Sequence, residues 1–284
     1  METNTVRWPG GSRNAVMVTV NLDAEYFGAC LYPEAKIDGS DFESMGEFGV
    51  RGGLDRVLQT LEAFGVRATF FVPGRIAEKY PDAAVKIVQH GHEIATHGYA
   101  HENMALLAPE EQKRAIFNSI NAIESICGVR PKGFRAPEGE LTLETLKIVK
   151  ELGLTYSSTL ANDDRPYFNR LDDAGGTLLE IPIHWALFDL PYFAFHFWPP
   201  VPYGQDRIAC FRKVLTNWEW EYDVFHEEGL CYVLQLDPTT MGDPGRIYML
   251  EQLLAYIRGK GGAWFATGSE MYEYFSSGGP LRDS

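Results

Sequence analysis

The chain has 284 residues, 45% of them hydrophobic, enough apolar material for one large core or two average ones. Its formal net charge is −14, from 39 acidic against 25 basic residues, and it contains no long basic run. A phosphate backbone or an anionic membrane surface would repel such a chain, and no apolar run is of bilayer-spanning length, so nucleic-acid and membrane partners are excluded.

The opening stretch METNTVRWPGGSRNAVMVTVNLDAEYFG has no basic segment leading into an apolar one of secretory length, which predicts a cytoplasmic location. From there short β-branched or aromatic runs alternate with amphipathic segments. Strands are predicted at 15–22, 68–72, 93–96, 133–136, 156–159, 178–183, 231–236 and 263–267, and helices at 53–64, 109–127, 143–152, 206–228 and 246–258. Pro109 with Glu110 and Glu111, and Thr142 with Glu144 and Thr145, mark helix starts, while Gly65, Gly128 and Gly153 fall where left-handed caps would end helices. The order implies a mostly parallel sheet with helices outside, in one domain spanning 1–284. The longest irregular regions are 161–177 and the aromatic run that begins near Phe188. Cys30, Cys127, Cys210 and Cys231 are far apart and form no CxxC pair, so they read as reduced core or subsurface thiols.

Nearly every predicted strand ends in a chemically capable side chain: Asp23, His97, Arg135, Ser158, His184 and Asp237. Any one of them could merely mark a strand end, but in a closed parallel barrel all six would converge on one mouth. His97 and His101 stand four apart, and if the chain turns helical after its strand they share a face, the geometry for two imidazoles on one ion. A pair of surface or capped histidines fits the same spacing. Asp23 would complete a two-histidine, one-carboxylate set with open coordination positions. His90 and His92 precede the strand, lie at its opposite end, and read as structural.

The ordered motifs NLDAEY, FFVPG, HGHEIATHGYAH, GFRAPEG, YSSTLANDD and GGAWFATGSEM resemble the polysaccharide deacetylase, or NodB-homology, family of metal-dependent amide hydrolases, from about Ala15 to Tyr274. The resemblance implies an α/β fold, a distorted (β/α) barrel of seven or eight parallel strands. Its similarity is greatest to the branch with allantoinase-like, cyclic-imide-hydrolase-like and some peptidoglycan-deacetylase-like members, which tend to be oligomeric. By that resemblance Asp23, His97 and His101 hold one divalent metal ion, zinc in the first place. Arg135 orients the catalytic base and Pro137 accompanies it.

Two positions depart from the family pattern. Asn21 stands where the general base is expected, and Asp237 stands where a histidine acid is expected. One carboxylate is thus lost and one gained, so Asp237 is the first candidate for proton transfer and Glu25 the second, with a structural anchor as the other reading of Glu25. Asn21, Pro137, His184 and Trp185 are candidate substrate contacts. The aromatic run from Trp185 to Trp198 could wall off a small pocket, pack as core, or form a subunit interface, and a homo-oligomer, a tetramer by family analogy, is expected. The expected substrate is a small cytoplasmic imide, ureide or N-acyl compound. The alternatives are an N-acetyl-sugar or peptidoglycan-fragment deacetylase and a non-catalytic ligand-binding relative.

Overall fold

Strand β1 (Asn14–Asn21) is buried along its whole length, and its valine-rich sequence suits a pleat covered on both faces. Val16, Val18 and Val20 point into one apolar cluster shared with the surrounding helices, while Ala15 and Met17 point into another. The latter also receives Phe71, Ala95, Cys231 and Val233 from neighbouring strands, so it is the interior of a curled sheet. The structure, a computed structural model, describes residues 8–28, 41–194 and 208–279. Cys30, Phe195, Phe197 and Trp198 lie outside these residues.

The other strands are β2 (Thr69–Val72), β3 (Glu93–Thr96), β4 (Gly133–Phe134), β5 (Tyr156–Ser157), β6 (Tyr167–Arg170), β7 (Thr177–Glu180), β8 (Cys231–Leu236) and β9 (Ala263–Phe265). The sheet runs β6-β7-β5-β4-β3-β2-β1-β8, with β9 paired to the first residues of β1. All ladders are parallel except β6 with β7. The ring closes through the chain after β7: Phe188 makes a parallel bridge with Gln235, and the Asp189 N–H donates to the Gln235 carbonyl at 3.1 Å. This is the expected distorted (β/α) barrel. The strand β6 corrects the irregular reading of 161–177; it is an antiparallel edge with no residue fully buried, so its sequence lacks an apolar face.

Helices α1 (Asp41–Phe48), α2 (Leu54–Ala63), α3 (Gly74–Lys79), α4 (Pro81–Gln89), α5 (Pro109–Cys127), α6 (Leu143–Glu151), α7 (Leu190–Phe193), α8 (Phe211–Glu228), α9 (Pro238–Met241), α10 (Pro244–Lys260) and α11 (Gly268–Ser276) join these strands. Thr142 caps α6 in a reciprocal capping box with Thr145, and Glu111 accepts the Ala108 N–H at the start of α5. Gly65, Gly128 and Gly153 all take positive φ. Between α1 and α2 a π turn (Gly49–Gly53) lets α9 come unusually close, since a Cβ on Gly53 would lie 2.1 Å from the Pro238 carbonyl oxygen. Among the described residues no helix is long and apolar enough to cross a membrane. The thiols of Cys127, Cys210 and Cys231 are free, but only Cys231 is buried and Cys127 half-buried. Cys210 is exposed beside the start of α8, which corrects its reading as a core or subsurface thiol.

Candidate metal centre

Counting in twos up each strand from the apolar interior leads to the site. On β1 the inward column is Ala15, Met17, Thr19 and Asn21, and it ends past the strand at Asp23. On β8 the column Cys231, Val233, Gln235 ends at Asp237. Ala95 on β3 leads to His97, and Gly133 on β4 leads to Arg135. The β1 and β8 columns are apolar low in the barrel, and every column is polar at its carboxyl end, where parallel strands deliver residues remote in sequence to one mouth.

Asp23, His97 and His101 present ligand atoms that all lie within 4.8 Å of one another. His97 Nε2 is 3.5 Å from Asp23 Oδ1, and His101 Nε2 is 3.6 Å from Asp23 Oδ2. His97 Nδ1 sits 2.8 Å from the Arg135 carbonyl oxygen, so Nδ1 carries the hydrogen and Nε2 keeps its lone pair for the cluster. His101 Nδ1 lies 3.3 Å from Glu138 Oε1. The two histidines do not share a helix face. The chain leaves β3 in a tight loop with Gly98 at φ 70° and His101 itself at φ 59°, and this left-handed path swings the second imidazole back onto Asp23.

The cluster fits a divalent cation. Asp23 Oδ1 is buried with no hydrogen-bond partner, and a buried carboxylate left so is costly unless a cation meets it. One oxygen and two imidazole nitrogens, with further positions open, is a donor set that zinc accepts. The protonation pattern is consistent with a gathered cluster. Burial pushes the Asp23 pKa up, but the charges of His101, His97 and Arg135 outweigh it and hold the group below its usual range. Burial pulls His97 down to about 4, whereas Asp23 and Glu138 overcome burial at His101 and raise it to about 10.

Arg135 braces the cluster from below. Its Nε donates to the Ser158 carbonyl at 2.7 Å, Nη2 to Ser158 Oγ at 2.9 Å, and Nη1 to both Thr19 Oγ1 at 2.9 Å and Asn21 Oδ1 at 3.0 Å. The guanidinium lies 4.1 Å over the Phe71 ring. Burial lowers its pKa to about 9, which leaves it charged at neutral pH.

Asp237 is fully buried. Its Oδ1 accepts the Thr239 N–H at 2.6 Å as the cap of α9, while Oδ2 has no partner. Burial, then the charges of Asp23 and Asp189, push its pKa well above the usual carboxylate range. Glu25 stands outside the cluster: Oε1 pairs with Lys79 Nζ at 2.7 Å and Oε2 accepts from Tyr80 at 3.4 Å, the anchoring arrangement. Pro137 opens the turn that carries Glu138, and Trp185, 55% exposed, lies beside Gly139 of that turn at the rim. His184 is engaged elsewhere, with Nε2 3.2 Å from Asp164 and its ring edge-on to Phe225 of α8. Phe188 and Phe193 of the aromatic run are buried core.

Two contributors escaped the sequence. Glu138 had a local signal, three residues past Arg135. Asp189, a fully buried acid whose pKa burial raises to about 7, had none beyond being the one charge in an aromatic stretch.

The geometry has counterparts in known proteins. The polysaccharide deacetylase family model matches residues 44–157. The chain is 26% identical to the peptidoglycan deacetylase of Helicobacter pylori, over 94% of this chain and 98% of that one. A crystal structure from Mycobacterium smegmatis assigned to the polysaccharide deacetylases superposes with a TM-score of 0.88 at 32% identity, covering 99% of this chain and 97% of the other. Puue allantoinase shares the fold, with a TM-score of 0.83 at 22% identity over 98% and 95% of the two chains. With strand-end residues, barrel and near full-length similarity in agreement, the chain belongs to the polysaccharide deacetylase family.

Proposed function

We propose that the protein is a metal-dependent hydrolase of non-peptide carbon–nitrogen bonds in a small substrate, an imide, ureide or N-acyl compound. The observation that carries this reading is the buried Asp23–His97–His101 cluster with its unpartnered carboxylate oxygen. A bound divalent ion, zinc in the first place, would supply Lewis acidity to the carbonyl and to water.

The chain's own residues do the rest. Arg135 holds Asn21, Thr19 and Ser158 in register beneath the ligands. Asp237 is assigned to proton transfer: ionised, its free Oδ2 takes a proton from water, and protonated, it returns that proton to the leaving nitrogen. Burial makes its carboxylate a stronger base than an exposed one. Glu25 anchors the turn after Asp23 through Lys79, and Trp185 at the rim covers one side of the approach.

A second reading, deacetylation of N-acetyl sugars or peptidoglycan fragments, draws on the named activity of the H. pylori relative. Zinc-loaded and chelator-treated protein assayed on succinimide, hydantoin and N-acetylglucosamine oligomers separates the two. Turnover of the rings alone supports the first, turnover of the sugars alone the second, and no turnover with zinc bound supports a non-catalytic relative. We further infer a cytoplasmic homo-oligomer, a tetramer by family analogy. Cell fractionation checks the location, and a light-scattering mass near the single-chain 31.9 kDa would reject the assembly.

A further inference from the structure

Among the described residues three that are not glycine take positive φ, Ala24 at 49°, His101 at 59° and Glu138 at 60°, and all three stand at the metal centre. Ala24 follows Asp23, His101 is a candidate ligand, and Glu138 faces His101. Left-handed backbone is costly for a residue with a Cβ, so its gathering here points to function. Glu138 is the least expected of the three. The Glu140 N–H donates to the Pro137 carbonyl at 3.3 Å across a turn whose two central residues, Glu138 and Gly139, are both left-handed, at φ 60° and 72°. Such a turn favours glycine or asparagine at its first central position, not a long acidic side chain.

The turn brings the carboxylate inward. The Glu138 side chain is 21% exposed, and its Oε1 lies 3.3 Å from His101 Nδ1. That nitrogen is buried and makes no aligned hydrogen bond, while Nε2 of the same ring lies 3.6 Å from Asp23 Oδ2. For Nε2 to offer a lone pair to a cation, Nδ1 must hold the ring's hydrogen, and a carboxylate facing Nδ1 favours both that tautomer and the ring orientation that goes with it. At His97 the Arg135 carbonyl, 2.8 Å from Nδ1, fills the same role. We infer that Glu138 is a positioning residue that holds His101 in its ligand tautomer, and that the left-handed turn persists, at a cost in stability, because it delivers this carboxylate. The inference rests on the metal centre of the reading above.

Zinc dissociation constants of chelator-stripped protein, from competition with a chromophoric chelator, and urea midpoints of the same metal-free samples test both parts. Glu138→Ala and Glu138→Gly are each expected to bind zinc roughly 10–100-fold more weakly than the wild type. Glu138→Gln, which keeps an acceptor oxygen without the charge, is expected to lose less than Glu138→Ala, a rescue that a general disturbance of the fold would not give. Without metal, Glu138→Gly is expected to unfold at a higher urea concentration than Glu138→Ala, the reverse of the usual order of these two residues. Zinc constants of the alanine and glycine variants within about threefold of the wild type, a glutamine variant as weak as the alanine one, or a glycine variant no more resistant to urea than the alanine one overturns the inference. A wild type that binds no zinc rejects the metal centre and the inference together. Zinc affinity that follows Glu138 in a protein that turns over no substrate supports the inference and sinks the hydrolase reading.

Discussion

Both carboxylate oxygens of Asp189 accept the backbone N–H of Asp237, at 3.1 and 3.0 Å. The bond pins the corner where β8 becomes α9, and with Oδ1 of Asp237 used for capping, the other oxygen of that residue is left without a hydrogen-bond partner. Asp237→Asn is expected to lower kcat roughly 10²–10⁴-fold while zinc remains bound. Glu25→Gln should cost less, because its carboxylate is already committed to Lys79, and Asn21→Asp should restore little. Steady-state kinetics with zinc analysis on each variant decides. A larger loss at Glu25 transfers the proton-transfer role there, and a strong gain from Asn21→Asp with full activity in Asp237→Asn marks an impaired deacetylase relative.

Replacing either His97 or His101 by Ala is expected to abolish both zinc retention and turnover, since each offers one of the three candidate ligand atoms. Elemental analysis after chelator-free purification reads this directly. A wild type with no divalent metal would remove the basis for the whole site.

Close backbone packing makes a stability prediction that owes nothing to the site chemistry. Gly53→Ala forces a methyl group against the Pro238 carbonyl, and is expected to destabilise by about 1–3 kcal/mol despite alanine's better helix propensity. Gly259→Ala in α10, where a Cβ meets nothing within 4 Å, should instead stabilise by up to about 1 kcal/mol. Urea unfolding midpoints of the two variants should therefore move in opposite directions.

At the far end of the barrel His92 accepts the Ala68 N–H at Nδ1, 3.1 Å away, and burial lowers its pKa from 6.5 to about 4. A histidine depressed in the folded state contributes stability that is fully present above pH 6.5 and is lost as pH falls through about 4. His92→Gln, which keeps an acceptor for Ala68, is expected to flatten that part of the curve. The difference between wild-type and variant midpoints, measured from pH 7 to pH 4, should shrink with acid, and a constant difference refutes the assignment.

The barrel was legible because buried parallel strands read as continuous apolar runs whatever their neighbours do, and all eight predicted runs became parallel strands. Asp23, His97, Arg135 and Asp237 were legible because strand ends converge, so position alone nominated them. What failed was local: four-residue spacing suggested a helix face for His97 and His101, while Gly98 and the left-handed His101 show a loop reaching the same convergence by another path. His184 follows its strand as regularly as the others, yet its ring packs against Phe225, a partner nothing nearby in sequence specifies. Asp189 stayed hidden for the converse reason, since its partners Asp237 and Thr240 lie about fifty residues further along the chain.

The position of β1 also governs the order in which the molecule can come into being. One edge of that strand pairs with residues 69–71, but the other waits for Cys231–Leu236, and its first residues wait for Ala263–Phe265. On a ribosome this fully buried strand is among the first made, and two of its three partners are among the last. Until they emerge, β1 presents an unpaired valine-rich edge of the kind that sticks to other chains. Asp23 and the two histidines follow β1 and β3, neighbours across β2, so their side of the mouth can gather early, whereas Asp237, past β8, reaches it only when the late strands pair.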